Sequence, residues 1–224
     1  MATSEAVHTG DTPPALPSGS WLLPLSRAVI AAVVALVITF SSDHSPQLGL
    51  TAFAAYALIE GLIQLIWGAR NVPVRFGRGA TRAQGAIGVV AGIAALVILL
   101  TAPAAHLIGL LGLIAGWALI TGVLELVGGL RARGRLGIAR DWIAVGAFTL
   151  LLAVAVLLVR PDYVHNFGGD GKTPPGVLNA SIMTVGLFGA YAAIVAAYQA
   201  IAALSLKWAP AAKAVPAVSV SKGD

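Results

Sequence analysis

The sequence predicts an all-α, polytopic membrane protein: six transmembrane helices arranged as three repeated helical hairpins. Three observations carry that expectation. Of the 224 residues, 58% are hydrophobic and only 10% are charged, and the mean hydropathy of +0.89 is far above that of soluble domains. Six apolar segments approach or exceed the roughly 20 residues a helix needs to cross about 30 Å of hydrocarbon. One polar-punctuated motif returns in every second segment.

The segments run approximately over residues 26–42, 48–68, 82–101, 105–130, 141–159 and 179–206. Backbone N–H and C=O groups cannot stay unpaired in lipid, so unalternating apolar runs of this length must be helices rather than strands. Residues 21–208 therefore form the membrane domain. Residues 1–20, with Pro13, Pro14 and Pro17 among small polar residues, and 209–224, with Pro210 and Pro216, read as disordered cytoplasmic tails. No basic residue precedes Arg27, so the first span is expected to stay in the protein rather than act as a cleaved signal.

Basic residues near the ends of spans are retained on the cytoplasmic side. Arg70, Arg75, Arg78 and Arg82 join spans two and three, and Arg131, Arg133, Arg135 and Arg140 join spans four and five. Arg27 precedes span one, and Lys207, Lys213 and Lys222 follow span six, whereas Arg160 and Lys172 fall on the opposite side. Both termini are thus expected in the cytoplasm. The two arginine loops account for much of the pI near 10.0, and they point to anionic lipid headgroups rather than nucleic acid. With no cysteine there is no disulfide framework or thiolate nucleophile.

The repeat is read from three stretches. "YALIEGLIQLIWGAR" from Tyr56 aligns without gaps to "WALITGVLELVGGLR" from Trp117, and more weakly to "YAAIVAAYQAIAALSLK" from Tyr191. Arg27, Arg82 and Arg140 each open the odd span of a pair. The unit is one hairpin in constant orientation, a parallel repeat rather than the inverted kind of many transporters. These stretches, with the "GIAALVILLTAP" ending of span three, resemble the HdeD-type acid-resistance membrane proteins from Trp21 to Trp208. The resemblance implies a bacterial inner-membrane protein linked to survival of acid stress, and it supplies no catalytic residues. The third repeat departs from the pattern, with Val195 and Ala196 at the polar and glycine positions.

Candidate functional residues lie inside the spans. Glu60 and Gln64 are four apart and share one helix face, and the stripe recurs as Thr121 with Glu125 and ends at Gln199. An acidic side chain at mid-membrane costs about 2.5 to 3.5 kcal/mol on insertion scales, so these faces should turn inward around an approximate three-fold axis. Two readings compete: a proton or cation site, or protonated carboxyls that hold the bundle together by hydrogen bonds. No Lys, His or second acid is expected at the depth of Glu60, which weighs against a proton relay. Gly88 with Gly92, Gly112 with Gly116, and Gly189 with Ala193 and Ala197 predict close helix packing, within the bundle or with a second copy or other membrane protein. Trp21, Trp67, Trp142 and Trp208 read as interfacial anchors.

His44, His106 and His165 fall on the non-cytoplasmic side, and external acid would charge all three, an arrangement suited to pH sensing. The competing reading is three solvated loop histidines without a common task. "NFGGDGKT", residues 166–173, lacks the first glycine of a phosphate-binding loop and runs into Pro174 and Pro175, so it reads as a turn-rich loop, and no nucleotide is expected. No metal, cofactor or catalytic motif is read from the chain. The expectation is a non-catalytic stress-protective membrane protein. Its rival is a small proton-linked transporter or channel centred on Glu60 and the Gln64, Glu125 and Gln199 stripe.

Overall fold

A computed structural model describes residues 19–68, 70, 78–134, 139–169 and 175–208. Most of both expected tails, Arg75, Arg135 and the tip of the fifth loop lie outside the described residues. Six helices are long and apolar enough to cross a membrane: α1 (Leu22–Phe40), α2 (Pro46–Ile63), α3 (Arg78–Thr101), α4 (His106–Ala132), α5 (Ala139–Leu157) and α6 (Ala180–Trp208). The chain is a multi-pass, all-α membrane protein.

Helix ends follow local chemistry. Pro24 stands in the first turn of α1, where its missing N–H costs no hydrogen bond. Ser45 caps α2 by accepting the Leu48 N–H at 3.3 Å, and Pro46 opens the helix behind it. The last turn of α2 widens into a π-helical turn over Gln64–Gly68, a geometry found mostly as single turns inside α-helices. Both α1 and α3 begin one turn earlier than the expected spans: α1 gains the apolar turn Leu22–Leu25, and α3 gains the turn that starts at Arg78.

The fifth loop departs from the expectation of irregular turns. It forms a β-hairpin of β1 (Val164–Phe167) and β2 (Gly176–Asn179), antiparallel, with Phe167 opposite Gly176. Gly168 and Gly169 adopt positive φ directly after β1, which a residue with a Cβ adopts only with strain. Phe167 lies over Gly176, the place where a side chain is missing. Beside the hairpin, Arg160 pairs with Asp162 at 2.8 Å in open solvent. That guanidinium holds the Asp162 carboxyl below the usual carboxylate range.

The distribution of polarity is the reverse of a soluble bundle. Val33, Val97, Leu151 and Ile201 face outward, whereas Glu60, Gln64, Thr121, Glu125 and Gln199 are buried. The most extensive contacts run between α2 and α3, between α4 and α5, and between α1 and α6. The sequence hairpins α1/α2, α3/α4 and α5/α6 meet over smaller areas, so the tight seams are displaced by one helix from the hairpin register read from sequence. Glycine makes two of these seams. A Cβ on Gly61 would lie 2.7 Å from the Gly85 carbonyl and 2.8 Å from the Val89 nitrogen. A Cβ on Gly122 would lie 3.2 Å from the Gly146 carbonyl and 3.0 Å from the Leu150 nitrogen.

Not every small residue packs as expected. Gly88 and Gly92 face α2, and Gly189 faces Ile38 of α1. In contrast, a Cβ on Gly112 or Gly116 would meet nothing within 4 Å among the described residues, and Ala193 and Ala197 are exposed. The small-residue spacing is the same on both faces of a helix, and only the neighbours decide which face is used. A Gly146→Ala substitution should therefore destabilise the protein by about 1–3 kcal/mol through overpacking against Leu126. Gly112→Ala should be neutral or slightly stabilising. Thermal unfolding in detergent measures both, and equal midpoints for the two variants would contradict the seam.

Candidate functional site: a guanidinium shared by two glutamates

Arg27 stands in the second turn of α1 and points into the bundle, with its side chain 11% exposed. Its Nε–H donates to Glu60 Oε1 on α2 at 2.7 Å, and its Nη1–H donates to Glu125 Oε1 on α4 at 2.8 Å. Gln64, one turn beyond Glu60, donates its amide Nε2–H to the same Glu60 Oε1 at 3.1 Å. One guanidinium thus binds three helices through two carboxylates.

The surrounding helices add uncharged polar groups. Gln84 of α3 donates to the Thr121 carbonyl at 3.2 Å, and the Thr121 hydroxyl donates to the Trp117 carbonyl at 2.7 Å. On α5, Thr149 gives its only proton to the Val145 carbonyl at 2.8 Å. The Tyr191 hydroxyl, 3.0 Å from Thr149 Oγ1, must then be the donor in that pair. A cavity of about 10 Å³ lies among these groups, bounded by Arg27, Glu60, Gln64, Thr121, Glu125 and Tyr191 among others. That is room for about one water molecule. Glu60 Oε2 and Gln64 Oε1 are both buried without a hydrogen-bond partner among the described residues.

The two sides of the cluster are unlike. Toward the arginine loops a second cavity, about 30 Å³, shares Arg27, Gln64, Gln84 and Glu125 with the first and continues past Leu23, Ala80, Thr81, Leu124, Gly128 and Trp142. Toward the opposite side the path is closed by rings. Phe53, Tyr56, Trp117 and Phe188 pack edge to face with centroids 5.6 to 5.7 Å apart, and Tyr191 joins Trp117 at 6.2 Å. Beyond them Leu50, Leu110 and Val185 are fully buried, with Leu110 and Val185 pressed against Gly49. The aligned positions Tyr56, Trp117 and Tyr191 therefore meet at the centre of the molecule.

Of the stripe residues, Glu60, Gln64, Thr121 and Glu125 line the central cavity. Gln199 is buried on α6 and is not among its lining residues. Sequence reasoning missed Arg27, which it placed before the first span as a topological charge, and missed Glu125 as a second acid that meets Glu60 through it. The signal was present: "WLLPLS" precedes Arg27, so apolar residues flank it on both sides. The histidines are also unlike one another. His165 is exposed on β1 and His44 is half-buried, its carbonyl accepting from Ser181 Oγ at 2.6 Å. His106 is not a solvated loop residue. It is buried at the start of α4 with Nε2 3.1 Å from the Leu99 carbonyl, so Nε2 carries the proton and Nδ1 is left without a partner. Among the arginine-loop residues, Arg70, Arg82, Arg131, Arg133 and Arg140 are exposed and Arg78 is half-buried. Trp21 packs under Lys207 at 4.9 Å, Trp142 is half-buried and Trp208 is exposed.

Comparison with protein families, with curated proteins and with solved structures returned no match.

Removing one partner from a buried ion pair leaves an uncompensated charge and costs about 3–5 kcal/mol, whereas replacing every member by apolar groups is often neutral. Arg27→Met alone should therefore lower the stability strongly. The triple variant Arg27→Met, Glu60→Met and Glu125→Leu should recover most of the loss. Unfolding of purified protein in detergent checks both, and an Arg27→Met protein as stable as the wild type would show that the guanidinium is not desolvated.

Proposed function

We propose that the chain is a non-catalytic protein of a bacterial inner membrane, with both termini cytoplasmic, that contributes to survival of acid or envelope stress. In this reading the six helices are three hairpin repeats, as the resemblance to HdeD-type proteins implies. The exposed arginines of the two inner loops, Arg70, Arg82, Arg131, Arg133 and Arg140 among them, lie against anionic headgroups, where each is worth about 1 kcal/mol. The observation that carries the proposal is how the buried charge is used. Arg27 spends its hydrogen bonds on Glu60 and Glu125, joining α1, α2 and α4, and a layer of five rings closes the bundle beside it. Such a core favours a body that keeps its shape over a conduit.

One observation favours the second reading, a small proton-linked transporter: two carboxylates share a single guanidinium, and the cavity beside them opens toward one side. Two measurements separate the readings. Under the first, vesicles containing purified protein and a pH-sensitive dye conduct protons no faster than empty vesicles, and Glu60→Gln changes nothing. Cells lacking the gene survive low external pH less well and recover with the wild-type copy. Flux above that of empty vesicles that Glu60→Gln abolishes would replace the first reading with the second. Full survival of cells without the gene would remove the stress role.

A sensing role for the histidines has its own check. His165 is exposed and His44 is half-buried, whereas His106 is buried against Leu99. Replacing His44 and His165 by glutamine should reduce acid survival if outer-face charge is the signal. Undiminished survival at unchanged membrane levels would eliminate the switch and leave the packing role standing.

A further inference from the structure

The cluster at Arg27 carries one negative charge too many. Arg27 from α1 contributes one positive charge, Glu60 from α2 and Glu125 from α4 contribute two negative ones, and α3 and α5 present only the uncharged Gln84 and Thr149. Tyr56 and Tyr191 are the other titratable groups facing it. An unbalanced charge in a bundle interior costs several kcal/mol, so the arrangement calls for one more positive charge.

The place for that charge is marked by two atoms. Glu60 is 4% exposed and Gln64 is 8% exposed, and each keeps one oxygen, Glu60 Oε2 and Gln64 Oε1, buried and without a donor. These are the two remaining oxygens of a carboxyl and an amide already joined by one hydrogen bond, Gln64 Nε2–H to Glu60 Oε1. The Tyr56 hydroxyl stands beside Glu60, yet these two oxygens have no hydrogen bond among the described residues, and a single proton shared between them removes the conflict. On Oε2 it makes Glu60 a donor to Gln64 Oε1, directly or across the one water the cavity of about 10 Å³ admits. A metal cation fits less well. It would need about six or more oxygens, and it would sit beside a guanidinium that is 2.7 Å from the same carboxyl.

We propose that the Arg27, Glu60, Glu125 and Gln64 cluster is a proton-binding site that holds one proton between Glu60 Oε2 and Gln64 Oε1 and exchanges it with the arginine-loop side alone. The access follows from the asymmetry already described: the 30 Å³ cavity leads from Arg27 and Glu125 toward Thr81 and Trp142, and the rings of Phe53, Tyr56, Trp117 and Phe188 shut the other side. The protein thereby reads the acidity of one compartment only. The site exists whether the protein acts in stress protection or in transport.

Infrared difference spectroscopy of the full chain in phosphatidylcholine vesicles reads the site directly through the carbonyl stretch of a protonated carboxyl. At neutral pH the wild type should show one such band, shifted in D₂O, lost in Glu60→Gln and kept in Glu125→Gln. Gln64→Leu, which removes the acceptor and keeps the acid, should move the band to higher frequency, and it carries the test if Glu60→Gln fails to fold. Raising the pH on the arginine-loop side alone should remove the band, and raising it on the opposite side alone should leave it. Absence of the band from the folded wild type, its persistence in Glu60→Gln, its loss on adding sodium at fixed pH, or its response to the opposite side would each overturn the proposal. None of these readings depends on cell survival or on flux, so they stand apart from the tests of function.

Discussion

A guanidinium taken out of water requires carboxylates in the plane of its fork, and Arg27 finds them on two different helices. That demand organises the rest of the bundle. Because Nε and Nη1 point in different directions from one rigid plane, α1 must lie where it reaches α2 and α4 together, and a lysine, with a single point charge, would not fix the same geometry. Gln64 is then the second donor to Glu60 Oε1, at the residue where α2 changes from α to π winding. The ionic centre and the irregular turn of α2 are thus adjacent in space as well as in sequence.

Around that centre the packing is done by absence of side chains. Gly61 against Gly85 and Gly122 against Gly146 bring backbones into contact, and each partner in the second pair stands the same number of residues after its counterpart in the first. The seam between α1 and α6 is built differently, with Gly189 receiving the branched side chain of Ile38. Three aromatic positions from three helices meet above the charges, and their edge-to-face packing fills a volume that aliphatic chains on such widely separated helices would not close.

Much of this was legible in the sequence, for physical reasons. Six apolar runs give six helices because lipid allows no other solution for a lone apolar segment. Glu60, Gln64, Thr121 and Glu125 stood out because polar groups are costly there, and all four line the cavity. Arg27 did not stand out, because an arginine at the edge of an apolar window is indistinguishable from one that sets topology. What places it inside is the extra apolar turn formed by Leu22 to Leu25, which the expected first span, beginning at Ser26, leaves out. Gly112 and Gly116 misled in the opposite direction: their spacing fits a helix contact, and which face of α4 meets a neighbour depends on helices far away in sequence. The β-hairpin was hidden by its own turn residues, since Gly168, Gly169 and the following prolines dominate the reading of strands only four residues long.

The seam between α1 and α6 has a consequence for how the molecule is made. Among the six described helices α1 is made first and α6 last, and they are joined along their length by Ser181 with the His44 carbonyl, Gly189 with Ile38, and Lys207 with Trp21. The inner face of α1 therefore waits for α6 before its neighbour exists, while the partners of Arg27 come earlier, Glu60 on α2 and Glu125 two helices later. Assembly of the ionic centre is in this sense ordered by synthesis: a first ion pair in the nascent hairpin, a second on arrival of α4, and closure of the ring of helices only when α6 docks against the helix that began it.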